Sequence, residues 1–232
     1  MVFTPDEWEV ITLSLKVSGV AVMACLPFAF GLAWLLARGR FPGRVLLDAL
    51  VHLPLVLPPV VTGWLLLLAF GNNGPAGRWF AETLGMTFMF SWTGAALAAA
   101  VMALPLMVRA MRLSIEAVDR RLEQAAETLG ASPALVFATI TLPLALPGLL
   151  AGAVLGFARS LGEFGATITF VSNIPGETRT LPLAIYGALQ MPGREAEVTR
   201  LSLIAVALSL AALVASEVLS RRAGHGRGGH VL

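Results

Sequence analysis

Four stretches of this chain run for more than twenty residues without a charged side chain: 17–37, 49–77, 83–108 and 128–158. Each exceeds the roughly 20 residues that a helix needs to cross the hydrocarbon of a bilayer. A shorter run, 201–216, reaches that length with its flanks. The pattern predicts an all-α integral membrane protein of about five transmembrane helices. Polar and turn-forming residues punctuate it. Asp6, Glu7 and Glu9 precede the first span, with Trp8 placed to anchor it at an interface and Lys16 close enough to that end to snorkel. The span ends near Leu36 and gives way to a basic turn, Arg38 to Arg44.

The second span, about residues 48–70, contains Pro54, Pro58 and Pro59. Three prolines free backbone carbonyls, which hydrocarbon tolerates only where protein or water covers them. The segment therefore reads either as a kinked, gate-forming stretch facing a pathway or as a kink used for packing. Residues 71–75, Gly-Asn-Asn-Gly-Pro, then signal a turn, and the connection to about residue 87 reads as a loop. The third span, about 88–107, carries an alanine face suited to close helix packing. A fourth begins between Leu144 and Leu149, and a fifth occupies about 198–219. A periplasmic loop with a short interfacial or re-entrant helix around 181–189 is expected between them.

Charge fixes the expected orientation. Arg38, Arg40, Arg44, Arg109, Arg112, Arg120, Arg121, Arg221, Arg222 and Arg227 fall on one side of this layout; Lys16, Arg78, Arg179, Arg194 and Arg200 fall on the other. Ten against five places the N-terminus outside and the C-terminus inside by the positive-inside rule. Composition agrees with the membrane reading: 57% of the 232 residues are hydrophobic and 13% charged, against about one quarter charged in soluble domains. Residues 1–222 are expected to form one membrane domain, and the Gly- and His-rich stretch 223–232 a disordered cytoplasmic tail. The acidic start of the chain is unlike a signal peptide, so no cleaved leader is expected.

The most informative stretch is 123–143, within a cytoplasmic loop spanning 113–143. Helix formers from Leu122 to Leu129 stop at Gly130, suited to a left-handed C′ position. Ser132 and Pro133 then read as a new N-cap and N1, and Pro143 is expected to break or kink the following helix. Ala125 and Ala126 allow close approach of another surface, while Glu123 and Glu127 can meet partner cations. The shape suits docking.

Catalytic signals are absent from the sequence. The sole lysine is Lys16, so no Walker A loop exists; neither a zinc-protease helix motif nor a serine nucleophile elbow occurs. Cys25 is the only cysteine. The net charge of +2 does not indicate a nucleic-acid binder. Arg159 and Glu163, four apart at the end of the fourth span, sit where charges face a bundle interior or a water-filled cavity. With Ser160 they are candidates for a translocation pathway or gate; mutual pairing as structural glue is the favoured alternative. The turn-rich stretch 172–180 reads as an external loop.

The loop resembles that of ABC-importer membrane subunits: Ala125, Ala126, Gly130, Ile140, Leu142 and Pro143 fall on the family pattern, while Gln124 stands where the family has glutamate and Glu123 precedes it. Together with the proline-rich stretch 52–61 and the block 158–180, it resembles the permease subunit of bacterial molybdate importers; sulfate permeases are similar across the same loop. The resemblance implies a type I importer permease fold in the bacterial inner membrane. It further implies a homodimer surrounded by lipid, two ATPase subunits holding ATP and Mg below it, and a periplasmic binding protein delivering molybdate or tungstate. In such a complex this chain is not itself an enzyme, and residues 123–126, 130, 140, 142 and 143 couple it to the ATPase. An ion-coupled carrier is the rival class, but the spans offer no acidic relay beyond Glu163.

Overall fold

The computed structural model describes residues 4–225, and all regular structure among them is helical. Helix α1 (Pro5–Arg38) starts earlier than the apolar run because Thr4 and Glu7 form a capping box: the Thr4 hydroxyl accepts from the Glu7 N–H, and the Glu7 carboxylate accepts from the Thr4 N–H at 3.0 Å. At 1.5 Å per residue its 34 residues extend about 51 Å, well beyond the hydrocarbon thickness.

The expected second span is two helices, α2 (Arg44–Val56) and α3 (Pro59–Phe70), bent by 115°. This corrects the single kinked helix. Leu57 and Pro58 each precede a proline, which excludes the helical region for both; their ψ values are 143° and 133°. Two successive extended residues turn the chain where one proline would only kink it. The connection expected as a plain loop contains α4 (Pro75–Leu84), which has proline at N1 and ends at Gly85 in the left-handed region.

Helix α5 (Trp92–Glu116) crosses back, and α6 (Arg120–Thr128) and α7 (Pro133–Val136) form the following connection. A π-helical turn (Phe137–Thr141) leads into α8 (Leu142–Leu161). Pro143 therefore does not end a helix. The Leu142 N–H reaches back five residues to the Phe137 carbonyl, so the π turn keeps α7 and α8 in one continuous helical run. Short α9 (Gly165–Val171) and α10 (Leu181–Leu189) precede α11 (Glu195–His225). The helix at 181–189 is as the sequence suggested; α9 was not anticipated. Three residues of the expected tail continue α11, and the remainder, 226–232 with Arg227, lies outside the described residues.

Four helical runs are long and apolar enough to cross a membrane, and the α2–α3 pair makes a fifth if counted as one broken span. Small residues organise the core. Ala21, Cys25, Ala29 and Ala33 recur every fourth position on α1, all buried, and face the alanines of α5. On α8 the same spacing falls on Gly148, Gly152 and Gly156, which receive Ser114, Met111 and Met107 of α5 in turn. The descending order of those partners shows α8 antiparallel to α5. Without hydrophobic contrast between lipid and side chain, such close backbone approach is what holds membrane helices together. A second contact of this kind joins α3 to α9: a Cβ on Gly63 would lie 2.6 Å from the Ala166 carbonyl oxygen, and one on Gly165 would lie 2.6 Å from the Pro59 Cβ.

Candidate functional site

The segment between α5 and α8 is built from its caps inward. Asp119 starts α6 by accepting from the Arg121 N–H at 2.9 Å. At the other end Gly130 adopts φ +90°, and two hydrogen bonds close a Schellman motif: Ala131 N–H to the Ala126 carbonyl (3.0 Å) and Gly130 N–H to the Glu127 carbonyl (2.9 Å). Ser132 then caps α7 by accepting from the Leu135 N–H, with Pro133 at N1. The helix–Gly–cap–helix reading of the sequence holds at each of these positions. No residue of α6 is buried; Gln124, Ala125 and Glu127 are exposed, Ala126 is half-buried, and Leu129 is 90% exposed.

Glu123 is not part of that exposed face. Its Oε1 accepts from Arg38 Nη2 at 2.8 Å and from the Thr141 hydroxyl at 2.6 Å. Arg38 is the last residue of α1 and Thr141 the last of the π turn, so one carboxylate ties α6 to both. The pair is largely shielded, with side chains 15% and 17% exposed. Around it lies a cleft of about 360 Å³ whose lining includes Trp34, Arg38, Arg120, Glu123, Gln124 and Phe137; Phe137 meets Trp34 edge-on at 5.0 Å. Ile140 and Leu142 are half-buried, whereas Pro143 is exposed. Sequence spacing could not find Arg38 and Thr141 as partners of Glu123, since they lie 85 and 18 residues away. Arg38 stood out only as one of several inside arginines.

The candidate pathway residues divide. Arg159 Nη1 lies 2.7 Å from Glu163 Oε2, and the other Glu163 oxygen accepts from the Ala166 N–H at 2.9 Å. Glu163, with its side chain 2% exposed, thus joins the end of α8 to the first turn of α9, where the helix dipole favours a carboxylate. This geometry matches the pairing alternative. Ser160 is buried and its hydroxyl has no protein partner among the described residues. Pro59 packs on Gly165, close to this junction, and Pro58 is exposed beside it; Pro54 lies back within α2.

At the end of the molecule remote from α6, the loop 172–180 is organised by Thr178. Its fully buried hydroxyl donates to the Ser172 carbonyl (3.0 Å) and accepts from the Ile174 N–H (2.9 Å). Ser14 Oγ of α1 accepts from the Leu181 N–H at 2.7 Å, and Arg200 Nε of α11 lies 2.8 Å from Glu7 Oε1. These bonds clamp the loop, α10 and α11 onto the start of α1.

Apolar helical runs on either side of an exposed α6, with a broken α2–α3 pair, make a multi-pass membrane protein. The family described as binding-protein-dependent transport system inner membrane component matches residues 27–225. The chain belongs to that family and is a multi-pass inner-membrane transport component, with no catalytic role of its own. It is 60% identical, over 95% of its length and 96% of the relative's, to the molybdenum transport system permease protein ModB of Escherichia coli strain K12. Identity to ModB of Haemophilus influenzae is 59% over 93% of this chain and 94% of that one. The sulfate transport system permease protein CysT of Escherichia coli strain K12 is 40% identical over 96% of this chain and 83% of that one. Among solved structures, a bacterial alginate ABC transporter in complex with an alginate-bound periplasmic protein matches with TM-score 0.72 at 18% identity, covering 94% of this chain and 80% of that one. The MetNI methionine ABC transporter, inward facing, matches with TM-score 0.66 at 17% identity and 94% coverage of both. These two likenesses establish the ABC-importer permease fold.

Proposed function

We propose that this chain is the translocation subunit of an ATP-driven molybdate importer, accepting tungstate as well. The observation that carries the substrate is the gap between about 60% identity to molybdenum permeases and 40% to a sulfate permease. Two copies of the chain form the pore, with residues 1–222 of each as a single permease domain. Two ATPase subunits, which bind ATP and Mg, grip α6 from the cytoplasm, and a periplasmic molybdate-binding protein docks at the opposite end. The N-terminus lies outside and the C-terminus inside, supported by the ten-to-five distribution of basic residues.

In this reading Gln124, Ala125, Ala126 and Gly130 present the surface that the ATPase holds, with Glu127 and Leu129 beside them. Glu123 acts from within. By fastening α6 to the ends of α1 and the π turn, it makes the connection move with the spans, so closure of the ATPases on ATP tilts α1 and α8 together. Ile140, Leu142 and Pro143 continue that lever into α8. At its far end the Arg159–Glu163 pair transfers the tilt to α9, which packs on α3 through Gly63 and Gly165. Pro54, Pro58 and Pro59 place the bend of the gate there, with Ser160 beside it. The exposed apolar faces of α2, α3 and α11 meet lipid or the second copy.

The test is ATP-dependent uptake into proteoliposomes holding this chain with its ATPase, supplied with binding protein loaded with molybdate or with sulfate. Uptake of molybdate alone is expected. Uptake of sulfate at a comparable rate would overturn the substrate assignment and leave the importer class.

A further inference from the structure

We propose that α4 is an interfacial helix: it lies in the surface of the bilayer at the end of the molecule remote from α6, with lipid as its partner. Its ten residues make about 15 Å of helix, too short to cross the hydrocarbon.

Aromatic contacts set its depth. Phe80 of α4 meets Phe88 edge-on at 5.1 Å, and Phe70, the last residue of α3, lies 5.6 Å from Phe88 and 6.2 Å from Phe80. Phe88 stands about one turn before Trp92, where α5 begins and where Lys16 lies 3.7 Å over the indole ring. A cation stacked on a tryptophan at the start of a span suits a membrane–water interface. Gly77 fastens α4 near that level, since an added Cβ would meet the Gly71 and Phe70 carbonyl oxygens that end α3. The helix is thus held beside the span ends and not out in the aqueous phase.

Its remaining surface is amphipathic. At about 100° per residue, Arg78 and Glu82 share one side, and Ala76, Trp79, Phe80, Thr83 and Leu84 fill the broad arc opposite. Phe80 is partly covered by the aromatic cluster, but Trp79 and Leu84 are 55% and 56% exposed. The segment leading on to α5 adds exposed Met86 and Phe90. Phe90 takes φ +57°, a conformation that bulky side chains rarely adopt, and its exposed ring finds little burial within the chain to offset the strain. Tryptophan and leucine on one face of a short helix, with charge on the other, is the pattern of a helix lying in the interface.

The bilayer is the occupant already present beside this face. The chain is a multi-pass membrane protein, and exposed Trp64, Leu65 and Leu68 carry the apolar surface along α3 to its junction with α4. One arginine and one glutamate leave α4 without net charge, so the apolar arc, and not the charge of the lipid, does the holding. Anchored in this way, α4 fixes the height of the end of α3 and, through Gly63 and Gly165, that of α9.

Nitroxide labelling of the full chain tests the placement. In a Cys25→Ser background, Arg78→Cys, Trp79→Cys, Glu82→Cys and Leu84→Cys are labelled one at a time and reconstituted in phosphatidylcholine vesicles. Power-saturation EPR then measures collisions with oxygen, which concentrates in hydrocarbon, and with a nickel chelate, which stays in water. The oxygen-to-nickel ratio is expected to be high at Trp79→Cys and Leu84→Cys and low at Arg78→Cys and Glu82→Cys. Equal, water-like ratios at all four positions would overturn the proposal. So would low collision with both reagents at Trp79→Cys and Leu84→Cys, which marks a face covered by protein: a second copy if it is seen in vesicles of this chain alone, a soluble partner if it needs that partner's addition. Should the labelled variants fail to reconstitute, Trp79→Phe in the otherwise native chain gives an independent reading with lipids brominated high on the acyl chain. The emission that this change removes is expected to be quenched by those lipids; a wild-type minus Trp79→Phe difference that the bromines leave unquenched overturns the interfacial position.

Discussion

At the scale of single residues, Gly130 and Glu123 act in different ways. Gly130 takes φ +90° with nothing within 4 Å of an added Cβ. Within this chain, Gly130→Ala therefore meets backbone strain only, about 1–2 kcal/mol. The purified subunit should lose no more than that in stability, while ATP-driven uptake should fall much further, because in the proposed complex the ATPase fills the open space. Equal, small losses in both measurements would show that no partner approaches Gly130. Glu123→Ala removes the acceptor shared by Arg38 and Thr141 and leaves a shielded guanidinium unpaired. Loss of a buried partner costs about 3–5 kcal/mol, and partial exposure of this pair reduces that to about 2 kcal/mol. Thermal unfolding in detergent should show the loss, and Arg38→Met in the same chain should restore part of it. Additive effects of the two changes would contradict the fastening role. The Gly130 turn was legible from its neighbours because its chemistry is local. The Glu123 pairing was not, because it joins residues brought together only by the packing of α1 beside α5.

At the scale of elements, apolar runs and caps located most of the helices, and the helix at 181–189 was readable from its flanking prolines. What the pattern could not give was direction. Pro54, Pro58 and Pro59 signalled an irregular span, but a 115° bend needs both Leu57 and Pro58 to be extended, and only the backbone shows that. Helix α9 was hidden because its seven residues, two turns between Gly162 and Ser172, are too few to show a helical repeat. The glycine stripe of α8 was not read from the sequence, because its meaning depends on α5 lying against it. Gly148→Leu tests that contact directly: the first added carbon would fall on Ser114. Overpacking of this kind costs about 1–3 kcal/mol, so the melting temperature of the purified subunit should drop and α5 and α8 should separate locally. Hydrogen exchange in α5 identical to wild type would show that the contact is not a tight one.

At the scale of the whole molecule, α1, α5 and α8 form a core that carries α6 at one end and the clamped loop 172–180 with α10 at the other. The sequence separated these ends by charge; the coordinates connect them through α8, which runs from the Glu123 fastening to the Arg159–Glu163 junction. The central claim is that α6 is where an ATPase subunit grips this chain. Cys25 is the only cysteine and is buried, with its thiol 3.8 Å from the Ala100 carbonyl, so Cys25→Ser can keep that donor and clear the background. In that background, a cysteine is introduced by Ala125→Cys on α6 or by Leu84→Cys at the opposite end, and each variant is labelled with a maleimide–benzophenone reagent, whose photoexcited ketone inserts into C–H bonds of a neighbouring chain, in the assembled complex. The account predicts a cross-link to the ATPase from Ala125→Cys, altered when ATP is bound, and none from Leu84→Cys. A cross-link from Leu84→Cys, or none from Ala125→Cys in a complex that still hydrolyses ATP, would contradict it.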